Sequence, residues 1–132
     1  MAINRVISDR VKEPVAKTWS NCLVIGSQVF VSGMTAHDLE GNVAGGTDMY
    51  SQARQTFDKI KALMEAAGGS MNDIVKMTIF VTDISQRKEV WRAREEYFSG
   101  NFPACSLIGI SALATPELTV EIEAVGFLGA SA

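Results

Sequence analysis

The sequence predicts an α+β fold, with one mixed β-sheet and two amphipathic helices on one of its faces. Strand-like apolar runs precede, separate and follow two segments in which apolar residues recur every three or four positions. The 132 residues suit one domain, spanning residues 1–132. A hydrophobic content of 47% with 20% charged residues is typical of a globular protein and excludes intrinsic disorder.

The first part of the chain is predicted to hold strands and one long loop. Strands are expected at residues 3–8, 23–25 and 28–32. The dipeptide Gly26-Ser27 separates the last two runs, which is typical of a β-hairpin. Residues 33–47 contain four glycines and show no period, so we expect them to form a surface loop.

Residues 48–67 are predicted to form the first helix. One helical face carries Ala53, Phe57, Ile60, Met64 and Ala67, whereas Arg54, Lys59, Lys61 and Glu65 fall largely elsewhere. Thr47 or Asp48 can cap the start of the helix. Gly68-Gly69 is expected to end it, because glycine adopts a left-handed conformation at low cost.

The second part of the chain is predicted as strand, helix, strand and strand. These elements are expected at residues 73–83, 85–98, 104–110 and 118–127. Asp83 or Ser85 can cap the helix, whose apolar stripe is Val90, Ala93 and Tyr97. Pro103 prevents the helix from continuing.

Two of the predicted strands are apolar on both sides. In the strand 73–83, alternation places Val75, Met77, Ile79 and Val81 on one face, with Ile74 and Phe80 on the other. Two helices can cover only one face of the sheet. The second apolar face then needs another copy of the chain, so we expect a homo-oligomer.

Glu121 and Glu123 lie two residues apart on the last predicted strand, so their side chains point to the same side. If that side is a subunit contact, burial raises the pKa of at least one carboxyl and makes it a proton carrier near neutral pH. Alternatively, both are solvated charges at the end of a strand. The pattern leaves both interpretations open.

Composition argues against several other classes of protein. The net charge of −3, without a cluster of Lys and Arg, disfavours nucleic acid as a partner. Two distant cysteines and a single histidine make a metal site or a disulfide framework unexpected, and no cofactor is predicted. No apolar run approaches the ~18 residues of a membrane span, and no signal peptide is visible, so we expect a cytoplasmic protein with free thiols.

Several ordered segments carry a resemblance to a known family. They are VFVSG at 29–33, QARQ at 52–55, FPACS at 102–106 and VEIEAV at 120–125, together with DIVK at 73–76 and FVTD at 80–83. The set resembles the Rid family of reactive intermediate deaminases, the YjgF-type proteins, from about residue 23 to residue 127. The resemblance implies a chorismate-mutase-like domain that forms a homotrimer with a central barrel and three intersubunit clefts. It also implies hydrolysis of enamines or imines such as 2-aminoacrylate to a 2-keto acid and ammonia.

The resemblance also implies site residues. Glu121 stands at the family's acid–base glutamate, and the substrate-binding positions correspond to Trp19, Ser32, Gly33, Trp91, Cys105 and Ser106. Trp19 replaces a tyrosine, and Trp91 stands where many members carry asparagine. Cys105 replaces the arginine that pairs with the substrate carboxylate, a contact of roughly 1.5–3 kcal/mol. We therefore expect 2-aminoacrylate to be a poor substrate.

The sequence thus predicts a hydrolase that deaminates a reactive imine or enamine in an intersubunit cleft, with Glu121 as acid and base. The alternative is a non-catalytic trimer that binds or senses a metabolite. A third hypothesis, endoribonuclease activity, is disfavoured by the acidic pI of about 5.1.

Individual residues leave alternatives as well. Cys105 is either a reactive thiol or a small residue lining a pocket. Trp19 and Trp91 are either stacking walls or buried core aromatics. His37 is either a solvated loop residue or a proton carrier.

Overall fold

The computed structural model describes residues 1–132 and contains six strands and two α-helices. The strands are β1 (Ile3–Arg5), β2 (Cys22–Ile25), β3 (Gln28–Met34), β4 (Ile74–Val81), β5 (Ala104–Gly109) and β6 (Val120–Phe127), and the helices are α1 (Met49–Ala66) and α2 (Arg87–Arg94). The strands form a single sheet in the order β1-β2-β3-β6-β4-β5. Only β4 and β5 run parallel. The predicted mixed α+β sheet is therefore confirmed.

The first helix begins and ends where its flanking residues predict. The Asp48 carboxylate accepts the backbone N–H of Ser51, which satisfies one of the free donors of the first turn. Gly68 follows the helix with a φ of +94°, a conformation that a residue with a Cβ rarely adopts. The apolar face of α1 is completely buried at Ala53, Phe57, Ile60 and Met64.

One face of the sheet is covered by the helices. Helix α1 packs against β3 and β6, and α2 packs on α1. Strand residues of this covered face join one core cluster with both helices; they are Val29, Val31, Met77, Ile79, Ile122 and Ala124. Within this core, the Phe57 ring lies 5.2 Å from Tyr97 and 6.2 Å from Phe98 between centroids.

The opposite face, which we call the open face, has no cover within one chain. The strand pairings place these residues on it: Phe30, Thr78, Phe80, Ser106, Ile108, Glu121, Glu123, Val125 and Phe127. The side chains of Phe30, Phe127 and Ile108 are 38%, 39% and 43% exposed. No helix is both long and apolar enough to cross a membrane.

Helix α2 is shorter than the predicted span 85–98. A one-turn 3-10 helix, Ile84–Gln86, precedes it and is capped by Asp83. After Arg94 the hydrogen bonds tighten to the i→i−3 pattern at Glu96 and Tyr97. This tighter turn places the rings of Tyr97 and Phe98 against Phe57 in the core.

Two register shifts also depart from the prediction. Strand β3 extends to Met34, two residues into the expected loop, with an irregularity between Val31 and Met34. In β4 a shift between Ile74 and Lys76 turns Ile74 into the core and leaves Val75 38% exposed. The prediction therefore placed Ile74 and Val75 on the wrong faces of the sheet, since it assumed strict alternation along the strand. An extra residue in a bulge reverses the side to which the neighbouring residues point.

Candidate active site

Glu121 lies on the open face of β6, directly against the backbone of Gly33. A Cβ atom built on Gly33 would lie 2.6 Å from the Glu121 Oε2 atom. The irregularity in β3 falls at this point, between Val31 and Met34. Glycine at position 33 therefore leaves the space that the carboxyl group occupies.

The surroundings of Glu121 favour its protonated form. Burial raises the pKa of the Glu121 carboxyl, and the negative charge of Glu123 raises it further. The register confirms that both glutamates share a face, since Glu121 pairs with Phe80 and Glu123 with Thr78. Glu123 itself is exposed. Of the two open alternatives, the half-buried proton carrier fits Glu121, whereas Glu123 is a solvated charge.

A cavity of about 300 Å³ opens beside Gly33, and we call it the Gly33 cavity. Its lining comes from the segment between β1 and β2, from the end of β3 and the loop after it, and from α1. Trp19 forms part of the wall and is 56% exposed, so it is not a core aromatic. The cavity lies at the lower end of the range for small-ligand sites, roughly 300–1,000 Å³.

Asn21 holds this wall in place. Its buried side chain accepts the Trp19 indole N–H at 3.3 Å and donates to the Lys12 carbonyl at 3.0 Å. The sequence pattern does not single out Asn21. A polar residue immediately before a hairpin strand is the only signal that could have indicated it, and such residues are common in turns.

Lys59 is the second lining residue that the sequence missed. It was expected off the apolar face of α1, yet it shares a helical row with the buried residues Gln52, Thr56 and Leu63, at spacings of four, three and four. Its Nζ donates to the Thr35 carbonyl at 2.8 Å. Burial lowers the pKa of Lys59 to about 8. The sequence did offer one signal for Lys59, which is this row of polar residues at helical spacing.

His37 also lines the cavity. Its Nδ1 atom lies 3.1 Å from the Thr35 hydroxyl, and its backbone bridges to Val43 across the loop. Burial lowers the pKa of His37, and the positive charge of Lys59 lowers it further. His37 is therefore a half-buried wall residue rather than a freely solvated one.

Cys105 and Glu121 lie on opposite faces of the sheet. Cys105 pairs with the buried Met77 on the covered face, while Glu121 pairs with Phe80 on the open face. The Cys105 Sγ atom has one hydrogen bond, to the Ser106 carbonyl at 3.7 Å. Its contacts are those of a small residue at the edge of the core. Burial raises the pKa of the other thiol, Cys22, to about 11.

The remaining predicted site residues lie on β3, β5 and α2. Ser32 lies on β3 next to Gly33, and its hydroxyl donates to the Ser20 carbonyl at 2.5 Å. Ser106 is exposed on the open face opposite Thr78. Trp91 lies on α2 with the Arg87 guanidinium 5.7 Å from its ring, and it is 36% exposed. One chain thus assembles Trp19, Ser32, Gly33 and Glu121, whereas Trp91 and Cys105 stay apart from them.

Nothing in the chain groups three or more histidine, cysteine or acidic side chains in a way that could hold a metal ion. The site itself holds the half-buried Glu121 carboxyl against Gly33, and Gly33 also lines a small cavity with an aromatic wall and basic side chains.

Comparison with known proteins agrees with this picture. The family model described as Endoribonuclease L-PSP matches residues 10–127. A 2-iminobutanoate/2-iminopropanoate deaminase from Dermatophagoides farinae is 29% identical over 95% of this chain and 97% of its own. RidA from the Antarctic bacterium Psychrobacter sp. PAMC 21119 is 31% identical, with a TM-score of 0.85 over 95% of this chain and 99% of its own. PA3499 from Pseudomonas aeruginosa, of unknown function, is 37% identical, with a TM-score of 0.87 over 97% and 94% of the two chains.

Proposed function

Because the chain belongs to the Endoribonuclease L-PSP family, which includes the Rid/YjgF proteins, we propose that it hydrolyses a reactive imine or enamine of a small metabolite. The products are a carbonyl compound and ammonia. The observation that carries the proposal is the Glu121 carboxyl, which is half-buried against Gly33, a residue that lines a cavity of about 300 Å³. The deaminase name of the Dermatophagoides farinae relative supports the same reaction class.

Glu121 is the group that moves protons in this scheme. An enamine first accepts a proton on carbon and becomes an iminium ion. Water then adds to the iminium carbon, so that a C–O bond forms, the C=N electron pair moves to nitrogen, and Glu121 accepts one water proton. The same carboxyl returns that proton to nitrogen, and the C–N bond breaks as the hydroxyl group loses its own proton to Glu121 and forms the C=O bond, so that ammonia leaves. A carboxyl with a raised pKa suits both transfers, because it gains and loses a proton nearer neutral pH.

We further propose that the working form is a homotrimer of this single domain, with the site in a cleft between copies. The open face supports this, because three large apolar side chains on it are more than a third exposed in one chain. An intersubunit cleft also offers a way to place Trp91, Cys105 and Ser106 of one copy near Glu121 of another. In that cleft Cys105 supplies no positive charge, so 2-aminoacrylate is expected to be a poor substrate.

The test is Glu121→Gln, which keeps the shape of the side chain and removes its ionisable proton. Turnover should fall ~10²–10⁴-fold, the usual contribution of general acid–base catalysis. The measurement is keto-acid release from imines generated in situ from amino acids by an oxidase. Glu95→Gln, at an exposed glutamate directly after α2, is the matched control and should change turnover less than ~3-fold.

Cys105→Arg completes the test. It restores a guanidinium group, whose paired N–H donors bind carboxylates, and it should shift the substrate preference of the protein toward imines that carry a carboxylate. If the wild type accelerates no imine and Cys105→Arg creates no activity, the deaminase proposal is wrong, and a metabolite-binding trimer takes its place. Activity that survives Glu121→Gln but disappears in Cys105→Ser would instead indicate covalent thiol chemistry.

A further inference from the structure

We propose that Gln52 is a positioning residue for Glu121, an inference that rests on the proposed deaminase function and adds a residue to it. Gln52 belongs to the QARQ segment at 52–55, which supplies no residue to the candidate active site. Its side chain is completely buried and bonds to the loop before α1 and to the segment that leads into β6. Because β6 carries Glu121, the Gln52 amide holds the carboxyl in place without touching a substrate.

The Gln52 amide uses all of its hydrogen-bonding positions. Its Nε2 atom donates to the Glu117 carbonyl at 2.7 Å and to the Gly46 carbonyl at 3.1 Å. Its Oε1 atom accepts the backbone N–H of Thr119 at 2.9 Å and the Thr119 hydroxyl at 3.1 Å. The reverse orientation would set the NH2 group against the Thr119 N–H, so these partners fix the amide in a single orientation.

The beginning of β6 is held by fewer strand pairs than the rest of it. Strand β3 pairs with β6 only as far as Ile122. Val120 and Glu121 pair with β4 alone. The segment immediately before them is bonded to Gln52 on α1, through the Thr119 N–H and the carbonyl two residues earlier. Gln52 therefore supplies, at this end of the strand, a contact that β3 does not make.

Loss of the amide would release the segment that precedes Glu121. The Thr119 N–H and the Glu117 carbonyl would lose their partner inside the protein, and backbone groups without a partner shift until they find another one. Thr119 lies only two residues from Glu121, whose carboxyl fills the space that a Cβ on Gly33 would need. Reacting groups must be held to within about 0.5 Å, so a small shift at this point is enough to impair them.

The same amide also anchors the loop that lines the Gly33 cavity. This loop closes on itself where the Ala44 N–H donates to the Ala36 carbonyl at 2.7 Å. It then reaches Gly46, whose φ is +83° and whose carbonyl accepts from Gln52. One nitrogen atom therefore contacts both the end of this loop and the segment leading to Glu121, which fixes the two relative to each other.

The test is Gln52→Met in the full chain, which keeps the length of the side chain and removes its hydrogen bonds. Hydrogen–deuterium exchange should accelerate at least ~10-fold, and only in residues 44–48 and 117–121. The titration of the Glu121 carboxyl, followed by carbon NMR, should move toward its ordinary pKa, because a displaced carboxyl regains contact with water. The charge that acts on this carboxyl is that of Glu123, which the substitution leaves in place.

The kinetic readout is turnover of imines generated in situ. In Gln52→Met, kcat should fall ~10–100-fold while KM changes less than ~3-fold, because the amide affects the reacting group and touches no substrate.

Thr56→Val is the matched control. Thr56 is also completely buried on α1, and its hydroxyl donates within the helix, to the Gln52 carbonyl at 2.8 Å. This variant should leave exchange in residues 117–121 and the Glu121 titration as in wild type, with kcat within ~3-fold. A merely structural role for Gln52 predicts the same behaviour for both variants.

A Glu121 titration and a kcat in Gln52→Met that match those of Thr56→Val would overturn the proposal. Exchange that accelerates evenly over the whole chain would also overturn it, since that pattern indicates a loss of global stability alone. Should Gln52→Met fail to fold, Thr119→Val replaces it, because it removes one bond to the Gln52 oxygen and keeps the others. The Glu121 titration must then shift in the same direction, and an unchanged titration overturns the proposal.

The exchange and titration measurements do not depend on turnover. A wild type that hydrolyses no imine refutes the deaminase function, whereas a shifted Glu121 titration in Gln52→Met still shows that Gln52 sets the position of the carboxyl. Full turnover in Gln52→Met, together with an inactive Glu121→Gln, refutes the positioning role alone.

Discussion

The two faces of the sheet have similar apolar alternation but differ in what covers them. On the covered face, Met77 and Ile122 are fully buried by the helices of the same chain. On the open face, Phe30 and Phe127 remain more than a third exposed. The covered face therefore stabilises the single chain, whereas the open face is free for assembly and carries Glu121.

The largest expected effect comes from placing a charge on the open face. Phe30→Asp should abolish the proposed homotrimer, because a carboxylate buried in an apolar contact without a partner costs several kcal/mol. Light scattering should give the monomer mass, and far-UV circular dichroism should remain that of the folded chain. Leu39→Asp, at an exposed apolar residue in the loop after β3, should keep the trimer. A trimer that persists in Phe30→Asp would show that this face is not the contact.

In the core beneath the helices, the loss of a large apolar side chain should affect folding rather than assembly. Phe57→Ala should lower the free energy of unfolding by ~3–5 kcal/mol, because it removes a fully buried ring that contacts Tyr97 and Phe98. Urea denaturation measures it. Phe102→Ala, whose ring is 45% exposed, is the aromatic control and should cost far less. Equal losses in the two variants would contradict the placement of the core beneath the helices.

Gly33 lies on β3 against Glu121, and an added methyl group at Gly33 tests this contact. Gly33→Ala places a Cβ 2.6 Å from the carboxyl oxygen, so the carboxyl must move. Turnover should fall ~10²-fold, the usual cost of misplacing a reacting group by about 1 Å. Gly109→Ala on β5 is the control, since its nearest contact would be an ordinary 3.5 Å. Unchanged turnover in Gly33→Ala would separate Glu121 from catalysis.

The smallest expected effect is the pH dependence of stability. The folded pKa of Glu121 is raised, so its contribution is fully present below the unfolded value of about 4.3 and is lost as pH rises through the folded pKa. Glutamine does not titrate. The Tm of Glu121→Gln should therefore exceed that of wild type at pH 7, and the difference should disappear near pH 4. A difference that grows toward low pH would mean that Glu121 is stabilised as a carboxylate.

The elements themselves were largely predictable because their signals are local. The apolar spacing along α1, its Asp48 cap and the glycine after it lie within one stretch of chain, and its observed ends agree with the prediction within one residue. The hairpin at Gly26-Ser27 is equally local, and β2 and β3 flank it as expected. The family resemblance, which rests on short ordered segments, was confirmed by the family match over residues 10–127.

The candidate site was predictable only in part, because its residues meet through contacts distant in the sequence. The resemblance indicated Glu121 and Gly33, but only the structure shows that the Glu121 carboxyl fills the space that a Cβ on Gly33 would need, next to the irregularity in β3. Lys59 lies on a helix whose pattern placed it outside the apolar face. Only the packing of α1 against the loop after β3 turns it into a cavity wall.

By itself, the sequence determined the order and type of the elements, since periodicity and capping act over a few residues. Tertiary structure alone decided which residues share a side of the sheet. The family resemblance predicted both Cys105 and Glu121 as site residues, yet their strands, each paired with β4, turn them to opposite faces. The physical reason is that side chains alternate every residue, so the relative side of two distant strands depends on their register and bulges.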